Sequence, residues 1–369
     1  MKKNKNITGI ICEYNPFHNG HILHINKTRE LTSPDVLICV MSGNFVQRGE
    51  CAITNKWERA KCAIEHGVDL VVELPFIYAT QSANNFAKGS IETLKLLQVN
   101  SLVFGSESNN INKLKHFLTI DPDLKSIKKQ GISTSKAYEQ IYGELYPNDI
   151  LGLNYLKYAT YYNMNTYTIK RTNDYHNPFM EGNISSATAI RNQIINHKEY
   201  QNATPLKQIS ATFQMKHYYP YIKTLLLTSS PQKLKKLFLM DEGIENNLIK
   251  NCKIANSYEE FLSLCTSKRY TKSSIQRTLV HLMNQTYKEE VNTLSSLNHV
   301  RILAFNSTGK EYLHSLKGEV LLASKFSQIP SPYKEMELKA TQVYAYPLSI
   351  KKQKEMVETE LQPPIFIKD

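Results

Sequence analysis

No two of the six cysteines, at positions 12, 39, 51, 62, 252 and 265, form a CxxC pair or stand at a spacing that frames a metal site. Neither a zinc centre nor a disulfide framework is therefore expected, and a reducing compartment fits. No stretch approaches the ~18 consecutive apolar residues of a membrane-spanning helix. The basic start, Met1-Lys-Lys-Asn-Lys-Asn6, is not followed by a long apolar region or a cleavage site, so it does not read as a signal peptide. Internal repeats and low-complexity tracts are also lacking. These absences point to a folded protein of the cytoplasm with no membrane association.

What is present is a chain of 369 residues, 41% hydrophobic and 21% charged, long enough for two domains around substantial cores. Lysine and arginine number 45 against 33 acidic residues, for a net charge of +12. Such an excess favours a polyanionic partner, although a basic enzyme with no such partner has the same composition.

Short apolar runs alternate with helical patterns through the first half, the rhythm of βαβ units and a parallel sheet. Strands are predicted at Ile7–Cys12, Val36–Met41, Leu70–Leu74, Ser101–Phe104 and Tyr167–Lys170. Helices are predicted at Gly20–Thr32, Lys56–Glu65 and Ala83–Leu97. The polar stretch from Glu107 to about Tyr138 breaks the rhythm and reads as an inserted helix or long loop. Beyond about Asn192 strand signals thin out, and segments 219–227, 258–264 and 273–283 have amphipathic helical spacing. The expected architecture is a doubly wound parallel α/β sheet over residues 1–195, followed by a basic, mostly helical domain over 196–369. The tail from Pro347 reads as merely polar.

The strongest local signal is Cys12-Glu-Tyr-Asn-Pro-Phe-His-Asn-Gly-His21, directly after the first predicted strand and opening the first predicted helix. His18 and His21, three residues apart, fall on one side of a helical first turn, where free backbone N–H groups already favour phosphate. Two imidazoles there can donate to phosphate oxygens whose charge grows in a transition state. Gly20 leaves room for a base or ribose against the helix. Two histidines without a third ligand cluster do not make a zinc site.

A second segment, Ile184-Ser-Ser-Ala-Thr-Ala-Ile-Arg191, has helix-capping residues in Ser186 and Thr188, with Arg191 one turn on. Together they can hold β- and γ-phosphates, while capping alone accounts for the two hydroxyls. In the second half, Lys233, Lys235 and Lys236, then Lys268, Arg269, Lys272 and Arg277 beside Tyr270, suit a nucleic-acid backbone or, equally, a solvated helix face. The loop Ser42-Gly-Asn-Phe-Val-Gln-Arg-Gly49 offers Gln47 and Arg48 to RNA phosphate or base. Lys56 and Arg59, on the helix after it, extend a basic edge or form a solvated face.

The tetrad His18-Asn-Gly-His21 resembles the HxGH signature of the nucleotidyltransferase superfamily, whose fold is Rossmann-like. Ile184–Arg191 is similar to that superfamily's ISSTxIR signature, with Ala187 in place of the second serine. The stretches Glu13–His21, Met41–Glu50, Asp69–Pro75, Phe104–Glu107 and Pro147–Tyr155, and more loosely Arg301–Asn306, resemble the bacterial tRNA(Met) cytidine acetate ligases. This resemblance implies activation of acetate by ATP to acetyl-adenylate. The acetyl group then passes to the exocyclic amine of the wobble cytidine in the anticodon of elongator tRNA(Met).

By the same resemblance His18 and His21 are catalytic. The ATP site comprises Ile11, Cys12, Glu13, Tyr14, Asn15, Pro16, Phe17, His18, Asn19, Gly20, His21, Ile22, Leu23 and His24, with Gly105, Asn154, Arg171, Ser186, Thr188 and Arg191. The expected tRNA contacts are Gln47, Arg48, Lys268, Arg269, Lys272 and Arg277. ATP enters as a substrate, Mg2+ carried by ATP is compatible with the reading, and no protein-held metal is expected. Two rivals are a small-molecule adenylyltransferase, which has no use for a large basic helical domain, and a catalytically silent RNA-binding protein.

Overall fold

The first strand, β1 (Ile7–Cys12), and the second, β2 (Val36–Ser42), are almost wholly apolar because helices cover both faces of a parallel sheet. Along β2 the alternation is visible: Ile38 and Val40 join one layer of core, Leu37, Cys39 and Met41 the other. A computed structural model describes residues 5–120, 141–143, 145–171 and 182–368. In the predicted polar insertion it places helix α5 (Ile111–Thr119), and the part beyond residue 120 lies outside the described residues.

The first half runs β1, α1 (Asn19–Thr32), β2, α2 (Lys56–Glu65), β3 (Leu70–Leu74), α3 (Phe76–Ala79), α4 (Ala83–Leu96), β4 (Ser101–Ser106), α5, α6 (Pro147–Tyr161), β5 (Asn165–Lys170) and α7 (Ala187–Ile195). Strand order is β5-β4-β1-β2-β3, all parallel. The chain builds outward from β1 through β3 and then crosses to β4 on the other side of β1. That reversal is a topological switch point, where such sheets bind their ligands.

The middle of the chain is helical: α8 (Met215–Thr228), α9 (Pro231–Leu234), α10 (Ile244–Cys252), α11 (Tyr258–Cys265), α12 (Lys272–Met283) and α13 (Lys288–Asn292). Residues 196–369 are mostly helical, as expected, but they also carry strands toward the C-terminal end. Residues 299–366 return to the sheet as β6 (His299–Phe305), β7 (Leu321–Ala323) and β8 (Ile365–Phe366), interleaved with α14 (Ser307–Ser315), α15 (Tyr333–Tyr344) and α16 (Ile350–Leu361). Strand β6 pairs antiparallel with β3, while β7 and β8 pair with β6. The helical core is also continuous with the first half, since Phe45, Cys51, Phe76 and Ile77 pack among Tyr218, Phe261, Leu279 and Tyr344. The polar tail likewise takes part in the fold, through α16 and β8.

Two residues read as a basic surface edge are inside. Lys56 is 1% exposed and Arg59 fully buried. The Lys56 Nζ lies 2.7 Å from Glu73 and 2.8 Å from Glu360, and Arg301 joins the same two carboxylates. Arg59 donates to the carbonyls of Glu13, Ser42, Gly43 and Thr54, fastening the end of β1 to the loop after β2. Basic residue type suggested solvent, but the partners that make burial tolerable lie far away in sequence.

Candidate active site

The turn after β1 brings Tyr14 into the left-handed region, at φ 51°, and is followed by α1, whose first turn is closed by its own histidines. His18 is the N-cap, and its Nδ1 accepts from the Gly20 N–H at 3.0 Å. His21 reaches back, its Nδ1 accepting from the His18 N–H at 3.2 Å. This reciprocal capping box uses two imidazoles where a hydroxyl and a carboxyl ordinarily serve. Because both Nδ1 atoms accept, the proton of each neutral ring resides on Nε2.

The rings lie 3.7 Å apart between centroids, and Tyr14 stands edge-on to His21 at 4.7 Å. Burial first, then Arg171 and Arg191, lowers the His18 pKa to about 3. His21 is lowered well below the usual histidine value by burial and by His18 and Arg171. The pair is therefore neutral at physiological pH, with both rings able to donate from Nε2. His24, one turn on, is held down to about 4 by burial and Arg171, and its Nε2 has no hydrogen-bond partner among the described residues. Gly20 has a direct steric reason: a Cβ there would lie 2.8 Å from His18 Cε1, displacing the capping ring.

Segment 183–204 is pinned onto this turn. Asn19 donates to the carbonyls of Asn183 and Asn202, both at 2.8 Å, and Thr204 Oγ1 donates to the Phe17 carbonyl at 2.6 Å. Arg191 donates to the Asn15 carbonyl at 2.7 Å and to Thr188 Oγ1 at 3.3 Å, while Glu50 lies 3.9 Å away. Ser186 caps α7 by accepting from Ala189 N–H. Across the switch point, Gly105 in β4 lies against Arg171, whose Cγ would be 3.3 Å from a Cβ at Gly105. Asn154 is buried in α6, donating to the Ile150 carbonyl.

His18, His21, Arg171, Arg191 and their neighbours border one cleft of about 1120 Å³. Of the expected ATP-site residues, Ile11 to Asn15, His18, Gly20, His21, Leu23, His24, Gly105, Asn154, Arg171, Ser186, Thr188 and Arg191 line it. Pro16, Phe17, Asn19 and Ile22 do not; Phe17 is packed in the core and Asn19 is spent on carbonyls. Of the expected RNA contacts, Gln47, Arg48, Arg269 and Arg277 line the same cleft, whereas Lys268 and Lys272 are exposed outside it. The Gln47 side chain donates to the Gln81 carbonyl. Burial and the neighbouring Arg48 lower Arg277 to about 10. The loop bearing Arg48 rests on α12: Gly49 has φ +76° and lies so close to the backbone of Gln276 and Arg277 that a Cβ would collide with it.

Several motif residues without a chemical assignment prove to be structural fasteners. Glu107 accepts from the N–H groups of Asn148 and Asp149, and Asp149 accepts from Ser106 Oγ and Ser108 N–H, joining β4 to the start of α6. Asp69 accepts from Leu37 N–H, Arg29 and Asn306. The lining from the helical segment, Leu239, Asp241, Glu242 and Ser273 among it, carried no signal because no spacing links it to the histidines. Among the described residues no cluster of three or more His, Cys, Asp or Glu could hold a metal ion, and no helix is long and apolar enough to cross a membrane.

A parallel sheet with a histidine-capped helix at its switch point, and a second segment folded against that turn, is the arrangement of a nucleotidyltransferase. Residues 5–360 match the family model of the HIGH nucleotidyl transferases. The chain is 38% identical to the tRNA(Met) cytidine acetate ligase of Caldicellulosiruptor saccharolyticus, over 97% of this chain and 98% of that one. It is 33% identical to the protein of the same name from Bacillus subtilis, over 92% of each. The crystal structure of Thermotoga maritima TmcAL bound with alpha-thio ATP is similar, with TM-score 0.87 and 29% identity, covering 99% of this chain and 100% of that one. The chain belongs to the HIGH nucleotidyl transferases and, within them, to the tRNA(Met) cytidine acetate ligase family.

Proposed function

We propose that the chain uses ATP to activate acetate as acetyl-adenylate and then acetylates the exocyclic amine of the wobble cytidine in the anticodon of elongator tRNA(Met), giving N4-acetylcytidine. The observation that carries this reading is one cleft bordered both by the neutral His18 and His21 pair and by the arginines of α12 and the loop after β2. A small-molecule adenylyltransferase has no need of that second border.

In this reading ATP lies with its triphosphate over the start of α1. An acetate oxygen attacks the α-phosphorus, and pyrophosphate leaves. Acetate is already ionised at neutral pH, so this step needs orientation and charge stabilisation rather than a base. The Nε2–H groups of His18 and His21 donate to the phosphate oxygens as charge builds. Because both rings are held neutral and in a fixed tautomer, they need no reorganisation to do so. Thr188, Arg191 and Arg171 take the departing phosphates, and Gly105 and Asn154 border the nucleoside. Mg2+ accompanying ATP would be carried largely by the nucleotide's phosphates. RNA is gripped along Gln47, Arg48, Arg269 and Arg277, with Lys268 and Lys272 adding long-range attraction outside the cleft. A tRNA substrate supports a reaction in the cytoplasm.

The test is incubation with ATP, labelled acetate and elongator tRNA(Met), following RNA label and pyrophosphate together. Label in RNA that requires ATP is the expected result. Pyrophosphate release without labelled RNA would mean an adenylating enzyme with another acceptor, and neither signal would mean a silent binder.

A further inference from the structure

Among the described residues three carboxylates line the cleft, and two are neutralised by cations: Asp241 lies 2.7 Å from Lys288 Nζ and Glu242 lies 3.2 Å from Arg269 Nε. Glu13 is held differently. Its Oε1 accepts from the Gln47 N–H at 2.7 Å, and the half-buried carboxylate forms no ion pair among the described residues. One oxygen is thus anchored by the backbone, and the residue lines the cleft.

The position is specific. Glu13 stands at the end of β1, five residues before His18, and the cations acting on it are Arg48 and Arg191. Arg191 also acts on His18, and Arg48 on Arg277. Bonded to the Gln47 N–H of the loop that carries Arg48, and lining the same cleft as His18 and Arg191, Glu13 sits between the histidine turn and the arginine border assigned to RNA. At about 1120 Å³ the cleft exceeds the roughly 300–1,000 Å³ of single small-molecule sites, leaving room for a second substrate beside ATP.

We propose that Glu13 is the base that takes the proton from the cytosine exocyclic amine as that amine attacks acetyl-adenylate, an assignment that rests on the proposed RNA acetylation. The amine is conjugated with its ring and weakly nucleophilic, so attack without loss of a proton would place positive charge on nitrogen. In the balanced step the nitrogen lone pair forms the N–C bond to the acetyl carbonyl carbon. The C–O bond to the phosphate breaks, its electron pair leaving with AMP, and the N–H proton passes to Glu13 Oε2 and later to water. Burial raises the Glu13 pKa against the opposing Gln47 hydrogen bond and Arg48, so the carboxylate is a stronger base than an exposed one. Its surroundings also include Glu50 from the same loop, Arg59 of α2 on the Glu13 carbonyl, Cys12 beside it on β1 and Tyr155 of α6.

The experiment supplies synthetic acetyl-adenylate without ATP and measures single-turnover transfer to elongator tRNA(Met) by the wild type, Glu13→Gln and Glu13→Asp. Glu13→Gln, which can still accept from Gln47, should transfer about 10²–10⁴-fold more slowly. It should keep its tRNA affinity and melting midpoint and lose the acid limb of the wild-type pH profile, with Glu13→Asp recovering part of the rate. Wild-type transfer by Glu13→Gln overturns the proposal, as does a loss that tracks weakened tRNA binding. Should Glu13→Gln prove unstable, the wild-type profile decides, because transfer with no acid limb excludes a carboxylate base. Failure of the wild type to use acetyl-adenylate overturns the underlying function as well, and is told apart by appearing without any substitution.

Discussion

Lys56 and Glu360 are 304 residues apart in sequence and 2.8 Å apart in the fold, the ammonium of one on the carboxylate of the other, both buried. Glu73 and Arg301 complete the group, linking β3, β6, α2 and α16. Replacing Lys56 by Met leaves two buried carboxylates with Arg301 as their only cation among the described residues. The expected loss is about 3–5 kcal/mol of stability, read by chemical denaturation. The double variant Lys56→Met with Glu360→Gln should recover part of it.

Glu337 stands beside this network, its Oε1 accepting from the Phe76 N–H at 2.6 Å. Burial and then the Glu73 charge push its pKa up to about 8. Between the unfolded carboxyl value near 4.5 and about 8 the folded state binds the extra proton, so its contribution is favourable at the acid end and is lost as pH rises through that window. Glu337→Gln, which preserves the acceptor, should therefore gain stability relative to the wild type as pH goes from 5 to 9. A gap between the two that stays constant with pH would refute this.

His21→Ala removes both the donor toward phosphate proposed above and the acceptor for the His18 N–H. Acetate-dependent ATP–pyrophosphate exchange should fall about 10²–10³-fold while tRNA affinity is kept. Since His18 titrates at about 3 and His21 well below the usual histidine value, wild-type exchange should show no limb near pH 6.5. A clear inflection there would mean that an imidazolium takes part.

Arg277→Met should separate binding from stability. It removes a half-buried cation beside Arg48, so the melting midpoint should hold or rise, while tRNA binding weakens and the salt dependence of log K falls by about one. Lys268→Ala, at an exposed site outside the cleft, should have a smaller effect at physiological salt. Filter binding across a salt series measures both.

Strands β1 to β4 were legible because helices cover both sheet faces, which forces near-continuous apolar runs such as Val36–Met41. The histidines were legible because a cap and its third residue have a fixed spacing. Strand β6 was not: His299 and Arg301 interrupt its apolar run, and only the distant Glu73 and Glu360 make a buried arginine there acceptable. Strands β7 and β8, of three and two residues, are too short to carry a period. Lys56 and Arg59 failed for the same reason as Arg301, since partner identity is a property of the folded chain. Glu13 was read only as part of the nucleotide-binding run; its separate surroundings emerge when residue 47 is folded back onto it.

The pairing of β3 with β6 also sets the order in which the molecule can be completed during synthesis. Until residues 299–305 have left the ribosome, β3 is an open sheet edge with unpaired N–H and C=O groups, available to any other extended strand. More than 200 residues must be made after β3 before its proper neighbour exists. The nascent chain therefore passes through a long interval of exposure to aggregation, and chaperone demand during expression should fall on that interval.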